Sequence, residues 1–63
     1  MQFRVTYTDA TTEIVEADRV TVVENSGQIV FHTEVTVMNR SREIVSRRLS
    51  GANVRDVSEA QAR

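Results

Sequence analysis

The stretch QIVFHTEVTVM, residues 28–38, places apolar side chains at regular two-residue steps. Ile29, Phe31, Val35 and Val37 fall on one face of an extended chain, because successive side chains of a strand point to opposite sides. The pattern predicts one long strand. Strands of about ten residues often bend midway and take part in two sheets, as small barrels require.

Shorter segments of the same kind lie on both sides of this strand. They are QFRVTYT at 2–8, TEIVEA at 12–17, DRVTVVE at 18–24, EIVSRRLS at 43–50 and VRDVSE at 54–59. The register of TEIVEA is ambiguous, because Ile14 and Val15 point to opposite faces. Turns are predicted where glycine occurs and where Asp9 can bond the backbone two residues on. These turns are TDAT at 8–11, NSG at 25–27, NRSR at 39–42 and SGAN at 50–53.

The composition supports strands throughout the chain. Valine, isoleucine and threonine make up one third of the 63 residues, and there is no proline. We therefore predict an all-β fold of five or six antiparallel strands, as a small meander or open barrel without substantial helix. The predicted domain covers 1–59, and 60–63 form a frayed C-terminal tail. The predicted core is Phe3, Val5, Tyr7, Val20, Val22, Ile29, Phe31, Val35, Val37, Val45, Leu49, Val54 and Val57.

A chain of this length has little surface to bury, so its stability needs support from elsewhere. The absence of cysteine excludes disulfides and thiolate zinc sites, which leaves association with other chains as the expected support. No apolar run approaches the roughly 18 residues of a membrane span, and the N-terminus has no signal-peptide pattern. We expect a cytoplasmic protein with no membrane partner.

Signatures of catalysis are nearly absent from the sequence. His32 is the only histidine, and it lies mid-strand with Glu34 on the same face as a hydrogen-bonding candidate. An imidazole with a carboxylate does not make a site without a nucleophile and a binding pocket. We predict no enzyme activity, no metal, no cofactor and no small-molecule substrate. RRLS at 47–50 matches a kinase pattern, but Ser50 before Gly51 is better interpreted as a turn residue.

The charges are divided along the chain. Residues 1–39 carry two arginines and six carboxylates, for a formal charge of −4, whereas 40–63 carry six arginines and three carboxylates, for +3. The two halves should attract each other, within one chain or between chains.

The arginine cluster of the second half raises the question of nucleic-acid binding. Strand alternation places Arg47 and Arg48 on opposite faces unless a bulge re-aims one of them. Arg40 and Arg42 fall in the predicted turn at 39–42. The pI of about 5.7 and the position of all three aromatic residues in the predicted core also argue against a nucleic-acid surface.

The order of strand, Asp turn, TEIVEADRVTV, glycine turn, QIVFH and closing ANVRDV resembles small uncharacterised β-rich proteins of actinobacteria and their phages. The resemblance covers most of the chain but consists of strands and turns alone, and Ala10 stands where such chains often have glycine. The architecture is also similar to SH3-like and Sm-like small barrels. Architecture does not determine function, so the resemblance implies no site residues.

These observations favour a non-catalytic protein–protein interaction or assembly module that forms a homo-oligomer. The basic segment 40–48 would meet the acidic segment 13–24 through edge strands or sheet faces. The alternative is nucleic-acid binding through the basic segment. The candidate interaction residues are Arg40, Arg42, Arg47, Arg48, Glu13, Glu16, Asp18 and Glu24.

Overall fold

A computed structural model describes residues 1–60 and confirms the all-β prediction. The strands are β1 (Gln2–Tyr7), β2 (Thr12–Glu16), β3 (Arg19–Val23), β4 (Gln28–Val37), β5 (Arg40–Ser50) and β6 (Val54–Ala60). A single 3₁₀ turn at Gly51–Asn53 connects the last two strands. β6 runs to Ala60, one residue past the predicted domain end, and the other three residues of the predicted tail lie outside the described residues. No helix in the described part of the chain is long and apolar enough to cross a membrane.

The six strands form two three-stranded antiparallel sheets. Sheet A has the order β2-β1-β6 and sheet B the order β3-β4-β5. Every strand in a sheet pairs with its neighbour in sequence, apart from β6, which returns to pair with β1. The chain crosses between the sheets after β2 and again through the 3₁₀ turn. This is the predicted meander in its open form, because the two sheets do not join into a closed barrel.

The core lies between one face of each sheet. Phe3 from β1 and Phe31 from β4 meet with ring centroids 5.9 Å apart and planes tilted by 58°. Val5, Val15, Ala17 and Ile29 complete the buried cluster. Tyr7, Val20, Leu49, Val54 and Val57 pack against it while remaining partly exposed. Hydrophobic burial of this kind is the main favourable term in folding.

The predicted core is wrong at three positions and incomplete at three. Val22, Val37 and Val45 are 64%, 59% and 43% exposed. Sheet A does not cover the parts of sheet B where Val22 and Val37 lie, whereas a register shift in β5 pairs Val45 with His32 and so places it on the solvent side. Val15, Ala17 and Val30 are buried although the prediction omitted them. The ambiguity of β2 is thereby resolved, since Val15 points inward and Ile14 outward.

The turns agree with the sequence except between β4 and β5. The backbone N–H of Thr11 donates to Asp9 Oδ1 at 3.0 Å, as predicted for the turn at 8–11. The predicted turn at 39–42 is wrong: the turn consists of Met38 and Asn39, whose φ angles are 51° and 65°. Two consecutive positive φ angles match the right-handed twist of a hairpin, which allows the strands to continue up to a two-residue turn. Arg40 and Arg42 therefore belong to β5.

The hairpin of β4 and β5 extends beyond the rest of the fold. β3 pairs with β4 only as far as His32, whereas β5 pairs with it to the end at Val37. We call residues 33–46 the arm. All seven residues of β5 that belong to the arm, Arg40–Ser46, are exposed, as are Thr36 and Val37 at the tip of β4. The arm is thus a two-stranded ribbon that no other strand within residues 1–60 covers.

Candidate interaction surface on the arm

The arm has two chemically different faces. Its inner face continues the core-facing side of sheet B past Phe31, and its outer face continues the solvent side, as cross-strand pairing defines. The inner face consists of Thr33, Val35, Val37, Arg40, Arg42 and Ile44. The outer face consists of Glu34, Thr36, Ser41, Glu43 and Val45. One face is therefore apolar and basic, and the other is mainly polar and carries the carboxylates.

The inner face leaves apolar side chains in water. Val37 is 59% and Ile44 40% exposed, while Val35 is half-buried. Arg40 and Arg42 lie across the strand pair from Val37 and Val35 and form no salt bridge with any described residue. An apolar strip bordered by unpaired arginines is typical of the centre and rim of a protein interface.

A β-bulge at Ser46 separates the arm from the part of sheet B that packs against sheet A. Phe31 pairs with Arg47 and His32 with Val45, so Ser46 has no cross-strand partner. Its hydroxyl donates to the carbonyl oxygen of Phe31 at 3.2 Å and accepts from the Thr33 hydroxyl at 3.1 Å. The bulge changes the register of β5 by one residue, so it decides which side chains of the arm share a face.

Arg47 forms a salt bridge with Glu13 of the same chain. Its guanidinium donates to Glu13 Oε2 at 2.7 Å, and the Tyr7 hydroxyl donates to the other oxygen of the same carboxylate. Arg47, and then Tyr7, lower the pKa of Glu13, while hydrogen bonding to Glu13 raises the pKa of Tyr7. These contacts join β2 of sheet A to β5 of sheet B beside the core. The predicted attraction between the two halves of the chain thus includes an intramolecular pair.

Arg48 lies on the other side of the sheet from Arg47. It pairs across the strands with Val30, whereas Arg47 pairs with Phe31 in the core. The predicted separation of the two arginines is therefore confirmed, even with the bulge beside them. Of the four candidate arginines, Arg40, Arg42 and Arg47 therefore lie on the core-facing side of sheet B, and only Arg40 and Arg42 form no salt bridge there with a described residue.

The acidic candidates are dispersed. Glu16 accepts from the N-terminal ammonium at 3.2 Å and its side chain is 70% exposed. One oxygen of Asp18 accepts from the backbone N–H of Glu34 at 2.6 Å, which satisfies a donor on the uncovered edge of the arm. Glu24 lies in the turn between β3 and β4 and forms no salt bridge with a described residue. The acidic segment therefore does not form one patch.

His32 belongs to a polar network at the base of the arm. Its Nδ1 lies 3.2 Å from Glu43 Oε1 and its Nε2 lies 2.8 Å from the Thr21 hydroxyl. Arg19 binds both oxygens of Glu43 and lowers the pKa of that carboxyl. The predicted hydrogen bond with Glu34 is wrong, because Glu43 on the neighbouring strand is the partner. Sequence spacing could not reveal this contact, since it depends on the β4–β5 register.

The hydroxyl–imidazole–carboxylate order of this network is that of a catalytic triad. Catalysis also requires donors aimed at a developing oxyanion and a site that holds the substrate. Thr21, the potential nucleophile, lies mid-strand in β3, and Arg19 already binds the carboxylate that would orient the imidazole. No group of three or more potential metal ligands occurs in the described residues. The hydrogen bonds of this network connect β3, β4 and β5 and stabilise the base of the arm.

Searches of protein-family models, curated proteins and solved structures find no match to this chain.

Proposed function

We propose that this protein is a non-catalytic assembly module that associates with copies of itself through the arm. The observation that carries the proposal is the inner face of the arm, where the apolar stripe of β4 continues from the buried core into water. Burying such a stripe is favourable at roughly 25 cal/mol for each Å² removed from water.

The total surface of the chain supports this proposal. The chain exposes 4886 Å², and its mass is 7.1 kDa. The scaling of surface with mass gives about 4,100 Å² for a compact monomer of this mass, so the excess is roughly 800 Å². The arm contributes to the excess because both of its faces are exposed.

Face-to-face contact is favoured over pairing of strand edges. The free edge of β5 carries Arg40, Arg42, Arg47 and Arg48, and Ser46 interrupts it with a bulge. Charged side chains and bulges are the devices by which edge strands avoid pairing with other chains. Two antiparallel copies of β5 would also bring arginines together. We therefore place the contact on the inner face of the arm.

The test is the oligomeric state of two matched variants. Val37→Glu places a carboxylate on the inner face, and Thr36→Glu places the same carboxylate one residue away on the outer face. Sedimentation should show an oligomer for the parent chain and Thr36→Glu, and a folded monomer for Val37→Glu. A parent chain that stays monomeric at high micromolar concentration, in low and high salt, would contradict the proposal.

Nucleic-acid binding is the second candidate. It is favoured by one observation, the placement of Arg40 and Arg42 on the same face of a two-stranded ribbon, because such ribbons fit the major groove of DNA. Arg47 is engaged with Glu13, and Arg48 points elsewhere, so two phosphate contacts are expected. They would give a salt slope of about −1.8 with duplex DNA. Fluorescence anisotropy that detects no binding at about 50 mM salt, where phosphate contacts are strong, would exclude this candidate.

A further inference from the structure

We infer that the inner face of the arm binds the outer face of the arm of a second copy, so that the arms of successive copies stack in an open series. This inference rests on the proposed function and adds the partner surface and the order of the copies. A contact between two different surfaces is heterologous, and it leaves one inner face and one outer face free at the two ends of the series.

The outer face supplies the carboxylates that the inner face lacks. Glu34 and Glu43 lie directly opposite each other on the outer face, and like charges in such a position destabilise a strand pair. Arg19 binds Glu43, whereas Glu34 is exposed and forms no salt bridge with any described residue. The outer face thus carries an uncompensated negative charge, while Arg40 and Arg42 leave two uncompensated positive charges on the inner face.

The position of sheet A determines the orientation of successive arms. Sheet A lies on the same side of sheet B as the inner face, as the contact between Phe3 and Phe31 shows. If two arms stacked in the same direction, the sheet B of the second copy would occupy the space filled by the sheet A of the first. A half-turn between copies removes this conflict, because the base of the second copy then lies beyond the tip of the first.

The half-turn also fits the number of layers in each part of the fold. The base contains two stacked sheets and the arm contains one, and stacked sheets lie about 10 Å apart. When the arms alternate in direction, every layer of the stack holds one arm, and the bases on each side follow one another at intervals of two layers. Such a stack does not close on itself, so we expect a filament.

The register of the hairpin determines which side chains meet. Across the arm, Val35 lies opposite Arg42 and Val37 opposite Arg40. Arms that overlap along their full length are related by a half-turn about their middle, at the Val35–Arg42 pair, which places β4 of the next copy over β5 of the first. Because each residue of a strand advances by about 3.4 Å, Glu34 of the next copy then lies between Arg40 and Arg42. One free carboxylate thereby meets two free arginines.

The same half-turn brings exposed apolar side chains together. Val45 lies on the outer face opposite His32, toward the base of the arm, and it is 43% exposed. In the next copy this position falls over the tip of the first arm, beside Val37 and Met38, which are 59% and 91% exposed. Contact between these side chains removes apolar surface from water. The charges and the apolar side chains therefore agree on one arrangement.

Mixing two blocked variants tests the heterologous contact. Val37→Glu blocks the inner face and leaves the outer face intact, whereas Glu34→Arg blocks the outer face and leaves the inner face intact. At the lowest concentration at which the parent chain assembles, each variant alone should sediment as a folded monomer. An equimolar mixture should form a one-to-one dimer, because it contains one intact face of each kind. A mixture that stays monomeric would overturn the inference.

A matched control separates the outer face from charge in general. Glu24→Arg makes the same change of charge in the turn between β3 and β4, away from the arm, and should assemble as the parent chain does. Circular dichroism should show that all the variants are folded. If Glu34→Arg assembles as well as Glu24→Arg, the outer face is not the partner and the inference is overturned.

A charge exchange tests the placement of Glu34. Arg42→Glu should weaken assembly about tenfold, because it places two carboxylates together in each contact. The double variant Arg42→Glu/Glu34→Arg should assemble more tightly than either single variant, because the exchanged charges attract each other again. Losses that add in the double variant would overturn the half-turn arrangement.

Sedimentation of the parent chain separates this inference from the proposed function. The inference predicts species larger than a dimer that grow as the concentration rises. A closed dimer, with no larger species at any concentration, would keep the proposed function and reject the heterologous contact. A monomer at high micromolar concentration would reject both.

Discussion

Phe31 and Val37 belong to the same apolar stripe of β4, yet the structure predicts that truncating Phe31 destabilises the monomer much more than truncating Val37. Phe31 is fully buried at 0% exposure, whereas Val37 is 59% exposed. Phe31→Leu leaves a partly empty site and removes the aromatic contact with Phe3, at a cost of about 1–2 kcal/mol. Val37→Ala changes a side chain in water and should alter the stability of the monomer by less than about 0.5 kcal/mol.

Protein concentration separates the two positions further. If the arm docks on a second copy, each contact buries the exposed part of one Val37, and Val37→Ala removes about 1 kcal/mol from that contact. This loss raises the Kd of the contact about fivefold. Phe31→Leu acts inside each monomer, so its effect should not depend on concentration.

Urea titrations followed by circular dichroism, at low and high micromolar protein, measure both effects. A 63-residue chain has a stability of about 3–9 kcal/mol, so the Phe31→Leu variant should remain folded in the absence of urea. Its midpoint should fall by about 1–2 M at both concentrations, given a slope near 1 kcal/mol per molar urea. The midpoint of Val37→Ala should match the parent at low concentration and fall below it at high concentration. If Val37→Ala costs as much as Phe31→Leu at low concentration, the arm is covered within the monomer and the reasoning fails.

Three further changes test the contacts around the arm. Arg47 and Tyr7 lower the pKa of the Glu13 carboxyl in the folded chain below its ordinary value of 4.5. The Glu13 carboxylate therefore contributes stability at neutral pH, and this contribution is lost as the pH falls from 4.5 through the lowered pKa of the folded state. Glu13→Gln should therefore flatten the acid side of a urea-stability profile, and an unchanged profile would show that the pair contributes nothing. Ser46→Ala removes both hydrogen bonds of the bulge, should cost about 1 kcal/mol and should accelerate hydrogen exchange in the arm; exchange confined to other strands would count against its role. Asn39→Gly relieves a positive φ of 65° and should raise the melting temperature slightly, whereas a decrease would mean that the Asn39 side chain stabilises the turn.

The candidate site was only partly predictable. The sequence suggested the arginines of the second half and their attraction to carboxylates, and the Arg47–Glu13 pair is one instance of that attraction. It did not indicate that Arg40 and Arg42 lie on a strand, because a Met-Asn pair is an uncommon two-residue turn. The signal available was Asn39, since asparagine tolerates a positive φ better than other non-glycine residues. With a turn at 38–39, strand alternation alone would have placed both arginines on one face.

The sequence by itself determined the all-β class, the six strands and most of the turns. Strand alternation, β-branching and turn chemistry are local properties, so a short window contains all the information they need. Val35 and Val37 were correctly placed in a strand for this reason, and Asp9 in a turn.

Only the tertiary structure decided how much of the apolar stripe of β4 is covered by sheet A. Phe31 and Val37 have the same local pattern, and they differ because sheet A, formed by the two ends of the chain, stops short of the arm. The partners of Glu13 and His32 were decided in the same way, by the pairing of strands that are distant in sequence. Coverage and register are relations between segments, and an isolated segment does not contain them.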